Sequence, residues 1–180
     1  MRRAIVRPAT ALTAYDLYLR ALATFYPETR ERLSPTPRLL KDAIAIDPQY
    51  GPALSWAAIC EMRLVFDGWA EQPDTARLTA IKLARQALQV GENDPGILAH
   101  AAFVLSNFGE DIGVMLGLVD RALALNPSFA RGWYISGLLR SYAGQHDAAI
   151  EHVETSLRLS PRERMGSPFN VIGMSHFLQT

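Results

Sequence analysis

One cysteine, Cys60, stands in 180 residues. An internal disulfide is therefore excluded, as is a zinc site built from several cysteines. Nothing in the composition calls for an oxidising compartment. Net charge is missing too: 18 lysines and arginines face 18 aspartates and glutamates. Such a chain has no bulk electrostatic attraction to nucleic acid or to an anionic membrane, and neither is an expected partner. No apolar run approaches the roughly 18 residues of a membrane-spanning helix. The opening Met1-Arg2-Arg3-Ala4-Ile5-Val6-Arg7-Pro8 starts like a signal peptide, but Arg7 and Pro8 close the apolar stretch too early for a secretory core. These absences together predict a cytoplasmic chain. Alternating β-branched runs are absent as well, so strands are not expected.

What is present is helical punctuation. The apolar share of 49% with 20% charged residues suits one folded domain or one small array and excludes disorder. Six prolines follow a residue able to cap a helix: Ser34-Pro35, Asp47-Pro48, Asp94-Pro95, Asn126-Pro127, Ser160-Pro161 and Ser167-Pro168. The polar side chain can accept from an orphan amide of a first turn, and proline loses no hydrogen bond there. Each pair can end one helix and begin another. Between the breaks, apolar residues recur at three and four. The spacing predicts about nine helices, near 13–25, 37–46, 52–66, 74–90, 95–108, 111–125, 129–143, 146–159 and from 168 onward. Gly109 and Gly144 are expected helix stops.

Four segments end alike: Ala43 to Pro48, Ala87 to Val90, Ala122 to Pro127 and Ser156 to Pro161. Taken as equivalent, Pro48, Pro95, Pro127 and Pro161 step by 47, 32 and 34 residues. A period near 34 with two helices per unit marks a helical repeat. The chain resembles the tetratricopeptide repeat family, whose pattern is W-x2-L-G-x2-Y…A-x3-F-x2-A-x4-P. Trp133, Ser136, Gly137, Arg140, Ala149, Val153, Ser156 and Pro161 match its spacing, with identity at Trp133, Gly137, Ala149 and Pro161. The preceding unit follows with Ala99, Ala102, Phe103, Ser106, Met115, Val119, Ala122 and Pro127, where Phe103 replaces the glycine. The two earlier units are degenerate, with insertions around 27–37 and 68–73. The resemblance implies an all-α right-handed superhelix of antiparallel helix pairs. Units are expected at about 13–48, 49–95, 96–129 and 130–161, after an extension over 1–12 and before a half-unit over 162–180. Glycine at a helix crossing lets two backbones approach, and Trp133 is expected to fill the gap between successive units.

A narrower resemblance rests on Thr13 to Ala21, Ala122 to Pro127 and Ala149 to His152 with Leu157 to Pro161. These stretches resemble the C-terminal repeat regions of bacterial regulators carrying a class III adenylyl/guanylyl cyclase domain or a winged-helix domain. It implies a sensory or partner-binding tail, not a cyclase.

Signatures of chemistry are missing. There is no G-x-G-x-x-G, G-x4-G-K-[ST], H-E-x-x-H or G-x-S-x-G. His146 and His152, six apart, fall on different sides of a helix; His146 reads as a cap and His152 as half exposed. Cys60 reads as a small buried hydrophobe. Glu110-Asp111 suits a helix N-terminus, and Glu154 with Arg158 an i,i+4 pair. Arg158, Arg162 and Arg164 are balanced by Glu154 and Glu163. No catalytic residue, metal or cofactor is expected.

Function then falls to surface shape. By the family analogy the first helix of each unit lines a concave groove. That implies Arg131, Tyr134, Leu138, Ser141 and Tyr142 in the last full unit, and Ile97, His100, Val104, Asn107 and Phe108 in the unit before. Ser55, Met62 and Arg63 lie farther back. Aromatic rings beside arginine and asparagine suit an extended or helical peptide. The expected role is a non-catalytic protein-interaction module, a regulatory or scaffold tail of a signalling protein; the alternatives are a small-ligand sensor or part of an adenylate cyclase-like enzyme whose catalytic domain is absent from this chain. The last helix carries Phe169, Val171, Ile172, Met174, Phe177 and Leu178 with almost no charge. Phe169, Ile172, Met174 and Phe177 are therefore candidates for self-association into a homodimer.

Overall fold

A computed structural model describes residues 9–25, 31, 35–161 and 167–178. The extension before Ala9, Pro27, Ser34, Arg162, Glu163, Arg164 and the last two residues lie outside them. The described residues form nine helices and no strand: α1 (Ala9–Phe25), α2 (Thr36–Ile46), α3 (Gly51–Phe66), α4 (Pro73–Val90), α5 (Pro95–Asn107), α6 (Ile112–Leu125), α7 (Ala130–Tyr142), α8 (His146–Leu159) and α9 (Ser167–Leu178). The first starts four residues ahead of Thr13. They gather into two compact units, Met1–Val90 and Gly91–Thr180.

In the first unit α1 packs on α2, α2 on α3, and α3 on α4. Small residues permit this. The inward stripe of α4 is Ala76, Ala80, Ala84 and Ala87, all buried, so its axis can lie close to α3. Aromatic pairs close the other end: Phe25 meets Trp56 edge-on with ring centroids 4.9 Å apart, and Tyr18 meets Tyr50 at 5.5 Å. Thr24 and Thr36 hydroxyls bond at 2.9 Å across the α1–α2 pair.

In the second unit α5 pairs with α6 and α7 with α8, α6 and α5 both touch α7, and α9 lies against α8 and α7. Gly137 sits where α7 crosses α8. A Cβ added there would stand 2.5 Å from Val153 Cγ2 and 2.8 Å from the Ala149 carbonyl oxygen. The sequence's reason for a glycine at this position is therefore physical contact.

Two kinds of turn alternate. After α3, α5 and α7 the chain reverses through Gly68, Gly109 and Gly144, each at positive φ (69°, 91° and 74°). In each the residue after the glycine donates back into the last helical turn: Trp69 to Leu64, Glu110 to Leu105 and Gln145 to Arg140. That is a glycine-closed helix end. Gly68, read from sequence only as part of an insertion, uses the same device.

The other turn corrects the proline reading. Tyr50 donates to the Asp47 carbonyl, Asp94 to Gly91 and Phe129 to Asn126, and the next helix starts one residue later each time. Positions 47, 91 and 126 are therefore equivalent, with steps of 44 and 35. Pro95 is not the counterpart of Pro48 and Pro127; it stands at the first turn of α5, where the Asp94 carboxylate caps the Ile97 amide at 3.0 Å. Asp47 and Asn126 end α2 and α6 as C-caps, their amides donating to Ala43 and Ala122, and do not N-cap the helix that follows. Their side chains accept from the amides of Gln49 and Ser128, two residues on, and so shape the turn.

The glycine turns correct a second alignment. Gly109 and Gly144 are 35 apart, whereas α6 and α8 begin 34 apart. One extra residue, the capping Asp111, lies in the earlier turn. Ala102, fully buried, thus holds the place of Gly137. Phe103, one position on, turns instead toward the cluster of Leu138, Val153 and Val171. With Phe103 in the glycine's place the helix contact would have to be looser or shifted, and the spacing of the turns shows a shift of one residue.

Candidate functional site

The groove candidates separate into two groups. Ile97, His100, Val104, Leu138 and Ser141 are buried. Leu138 belongs to the cluster with Val153 and Val171, on which Tyr134, Phe103, Leu157 and Ile172 also pack. The Ser141 hydroxyl bonds Ser175 of α9 at 3.2 Å. These residues hold helices together and are not open to a partner. The second group reaches the surface: Arg131, Tyr134, Asn107 and Phe108 are half buried, and Tyr142 is 50% exposed.

The structure brings His100 and Arg131 together. Arg131 Nε donates to His100 Nε2 at 3.2 Å, linking α5 to α7. The geometry requires a neutral imidazole with its proton on Nδ1. Burial first, then the Arg131 guanidinium, holds the His100 pKa well below the ordinary imidazole value. Asn107 is spent locally: its amide donates to the Phe103 carbonyl at 2.8 Å within the last turn of α5. Burial and the neighbouring Tyr134 raise the Tyr142 phenol, which stays protonated.

Of the candidates in the other unit, Ser55 and Met62 are buried, and Ser55 donates to the Pro52 carbonyl. Arg63 pairs with Asp67 at 3.0 Å along α3. The histidines of α8 differ from expectation in one respect. His146 does not cap its helix; Gln145 is the capping residue and makes no side-chain cap bond. His152 is half buried, as expected.

Residues that depart from the repeat pattern form a connected polar chain. Arg140 donates to both Asp120 oxygens, at 2.9 and 3.1 Å, and to Ser136 Oγ at 2.6 Å. Ser136 Oγ lies 3.0 Å from His152 Nδ1, and the His152 ring meets Trp133 edge-on at 4.7 Å. Ser136 stands where the pattern has leucine, and Arg140 where it has tyrosine. The pair substitutes for apolar packing because each member finds a partner. Trp133 also donates Nε1–H to the Pro127 carbonyl at 2.8 Å. It therefore meets His152 of its own helix pair and reaches back to the turn that ends the preceding unit.

Sequence reasoning missed a cleft in the first unit. Cavities of about 510 and 520 Å³ lie among α2, α3 and α4 and share Pro37, Glu61 and Thr79. One continues past Leu64, Trp69, Glu71, Gln72 and Thr75; the other past Arg38, Lys41, Ile44, Ala57 and Leu83. The signal for it was the insertion at 68–73. Among the described residues no cluster of His, Cys, Asp and Glu could hold a metal, and no helix is long and apolar enough to cross a membrane.

Comparison with solved structures identifies the fold as that of tetratricopeptide repeat proteins. The chain is similar to TTC0263, a thermophilic repeat protein of Thermus thermophilus, at 16% identity and TM-score 0.69 over 93% of this chain and 82% of that one. It is similar to PilF of Pseudomonas aeruginosa at 17% identity and TM-score 0.66, over 96% of this chain and 71% of that one. It is also similar to MamA at 18% identity and TM-score 0.57, over 94% and 82%. No family model matches the chain, and no curated protein does.

Proposed function

We propose that this chain is a non-catalytic interaction module that binds a peptide along the α5–α7 face. The observation that carries the reading is the composition of that face. The His100–Arg131 bond fixes a guanidinium near the start of α7, and Tyr134 and Tyr142 lie close to one another farther along the same helix, while the buried imidazole is held neutral and occupied. Rings offer contact area at low entropic cost, and a positioned arginine suits a peptide carboxylate. A regulatory or scaffold role in a bacterial signalling protein is proposed on the narrower sequence resemblance alone.

Peptides selected on the immobilised wild-type chain from a displayed library test this. Tyr134→Ala with Tyr142→Ala is expected to weaken the selected peptide at least about tenfold, since ring truncation at an interface centre costs over 1 kcal/mol. Arg131→Ala should weaken peptides bearing a carboxylate and spare their amide analogues. Unchanged affinity in both variants, measured by calorimetry, would place binding elsewhere.

We further propose that α9 mediates pairing of two copies. Phe169 and Phe177 are 65% and 77% exposed, and Met174 is exposed beside them. Ile172 is turned partly onto the Leu138 cluster of its own chain, so it anchors α9 and contributes little to the outer face. Phe169→Asp with Phe177→Asp should convert a dimer in light scattering to a monomer. A wild type that is monomeric at every concentration sinks this reading.

A further inference from the structure

The cleft of the first unit arises from unequal helix lengths. Helix α3 has 16 residues, against 13 in α5 and in α7, and α4 has 18, against 14 in α6 and in α8. The α3–α4 pair is therefore about one turn longer than the two pairs after it. Helix α2, with 11 residues, begins at Thr36, and Pro37 of its first turn lines both cavities. The cleft lies where α3 and α4 run on beside that end of α2, and Gly68 carries the chain into the Trp69–Gln72 wall.

The lining is uneven in charge. Glu61, Glu71 and Trp69 line one of the two cavities, and among the described residues no cation lines it. The Glu61 carboxylate is half buried, and no described residue pairs with it or donates to it. Burial alone raises its pKa, with no charge compensating. The adjoining cavity shares Glu61 and is lined by Pro37, Ile44, Ala57 and Leu83 together with Arg38 and Lys41. A volume near 500 Å³ is of the size that holds a small organic molecule.

We propose that this cleft is a binding site for a small alkylammonium ion, its cation between Glu61 and Trp69 and its alkyl chain along Ile44 and Leu83. A carboxylate without a partner is completed by an ammonium donor, and an aromatic face adds attraction for the same charge. The apolar wall beyond selects an amine that carries a hydrocarbon chain. This site is separate from the peptide face and stands or falls without it.

Titration of the intact chain with n-hexylamine and n-hexanol, followed by calorimetry and by the Trp69 indole N–H resonance, tests the assignment. Hexylamine is expected to bind and to shift that resonance, and hexanol at least about tenfold more weakly, because both can donate to the carboxylate but only the ammonium brings a positive charge. Glu61→Gln should reduce the amine's affinity by a similar factor and leave thermal unfolding unchanged. Leu83→Ala should weaken hexylamine more than methylamine. Equal binding of amine and alcohol, an unaffected Glu61→Gln variant, or no shift of the Trp69 resonance at saturating amine would each overturn it.

Discussion

Replacing Gly137 by alanine is expected to destabilise the protein by about 1–3 kcal/mol, while the same exchange at Gly117 leaves it unchanged or up to about 1 kcal/mol more stable. Both glycines lie inside helices, so intrinsic propensity favours alanine at each by a similar amount. The difference is what the new methyl meets. At Gly117 nothing lies within 4 Å. At Gly137 the methyl would stand 2.5 Å from Val153 Cγ2 and 2.8 Å from the backbone oxygen of Ala149. Val153 is fully buried and cannot rotate into free space, and the carbonyl is fixed in the helix ladder of α8. The α7–α8 pair must then part, loosening the Leu138–Val153–Val171 cluster that seats α9. Gly137→Leu drives a whole side chain into the same gap and should cost more than alanine does. Urea denaturation of the three variants checks the order. A Gly137→Ala protein as stable as the parent would show that the crossing can yield without cost, against the contact argument.

The fold was largely legible because its marks are local. Helix breaks at proline and glycine, three-and-four spacing and the Trp133–Gly137–Ala149–Pro161 pattern all act within one helix pair. The register of the earlier units was less legible, for a reason the turns make plain. A proline next to a capping residue can stand at a first helical turn, as Pro95 does, or inside a tight turn, as Pro48 and Pro127 do. Sequence spacing treats the two alike, and only the hydrogen bonds of Asp94, Tyr50 and Phe129 separate them. The groove residues were half legible. Helical periodicity places Leu138, Val104 and Ser141 on one face, but whether a neighbour covers that face depends on α9 and on how α5 meets α7. The α2–α4 cleft left only one trace in the sequence, the insertion at 68–73; the extra turn in two helices that shapes it is encoded by no motif.

Stability is expected to fall as pH drops below about 6.5, and His100 is the principal cause. Its imidazole is buried between α5 and α7 and accepts from Arg131. Burial and that guanidinium lower its folded-state pKa well below the usual 6.5. The sign follows from proton counting. Above 6.5 the imidazole is neutral whether the chain is folded or not, and its contribution is fully present. Between 6.5 and the folded value only the unfolded chain takes up the proton, so stability drains away as pH falls. His152 acts in the same direction, lowered by its burial and by Arg140, and partly offset by Asp120 and Glu151. Protonation of His100 would remove the acceptor for Arg131 and set two cations together. His100→Gln keeps an acceptor but cannot titrate, so it should preserve stability at pH 8 and flatten the loss between 6.5 and 5. His100→Ala removes the acceptor and opens space, and should cost about 1–3 kcal/mol even at pH 8. Urea midpoints measured from pH 8 to pH 4.5 decide between them. If the His100→Gln profile superimposes on the parent profile, the acid sensitivity lies in other groups and the neutral His100–Arg131 bond is not its source.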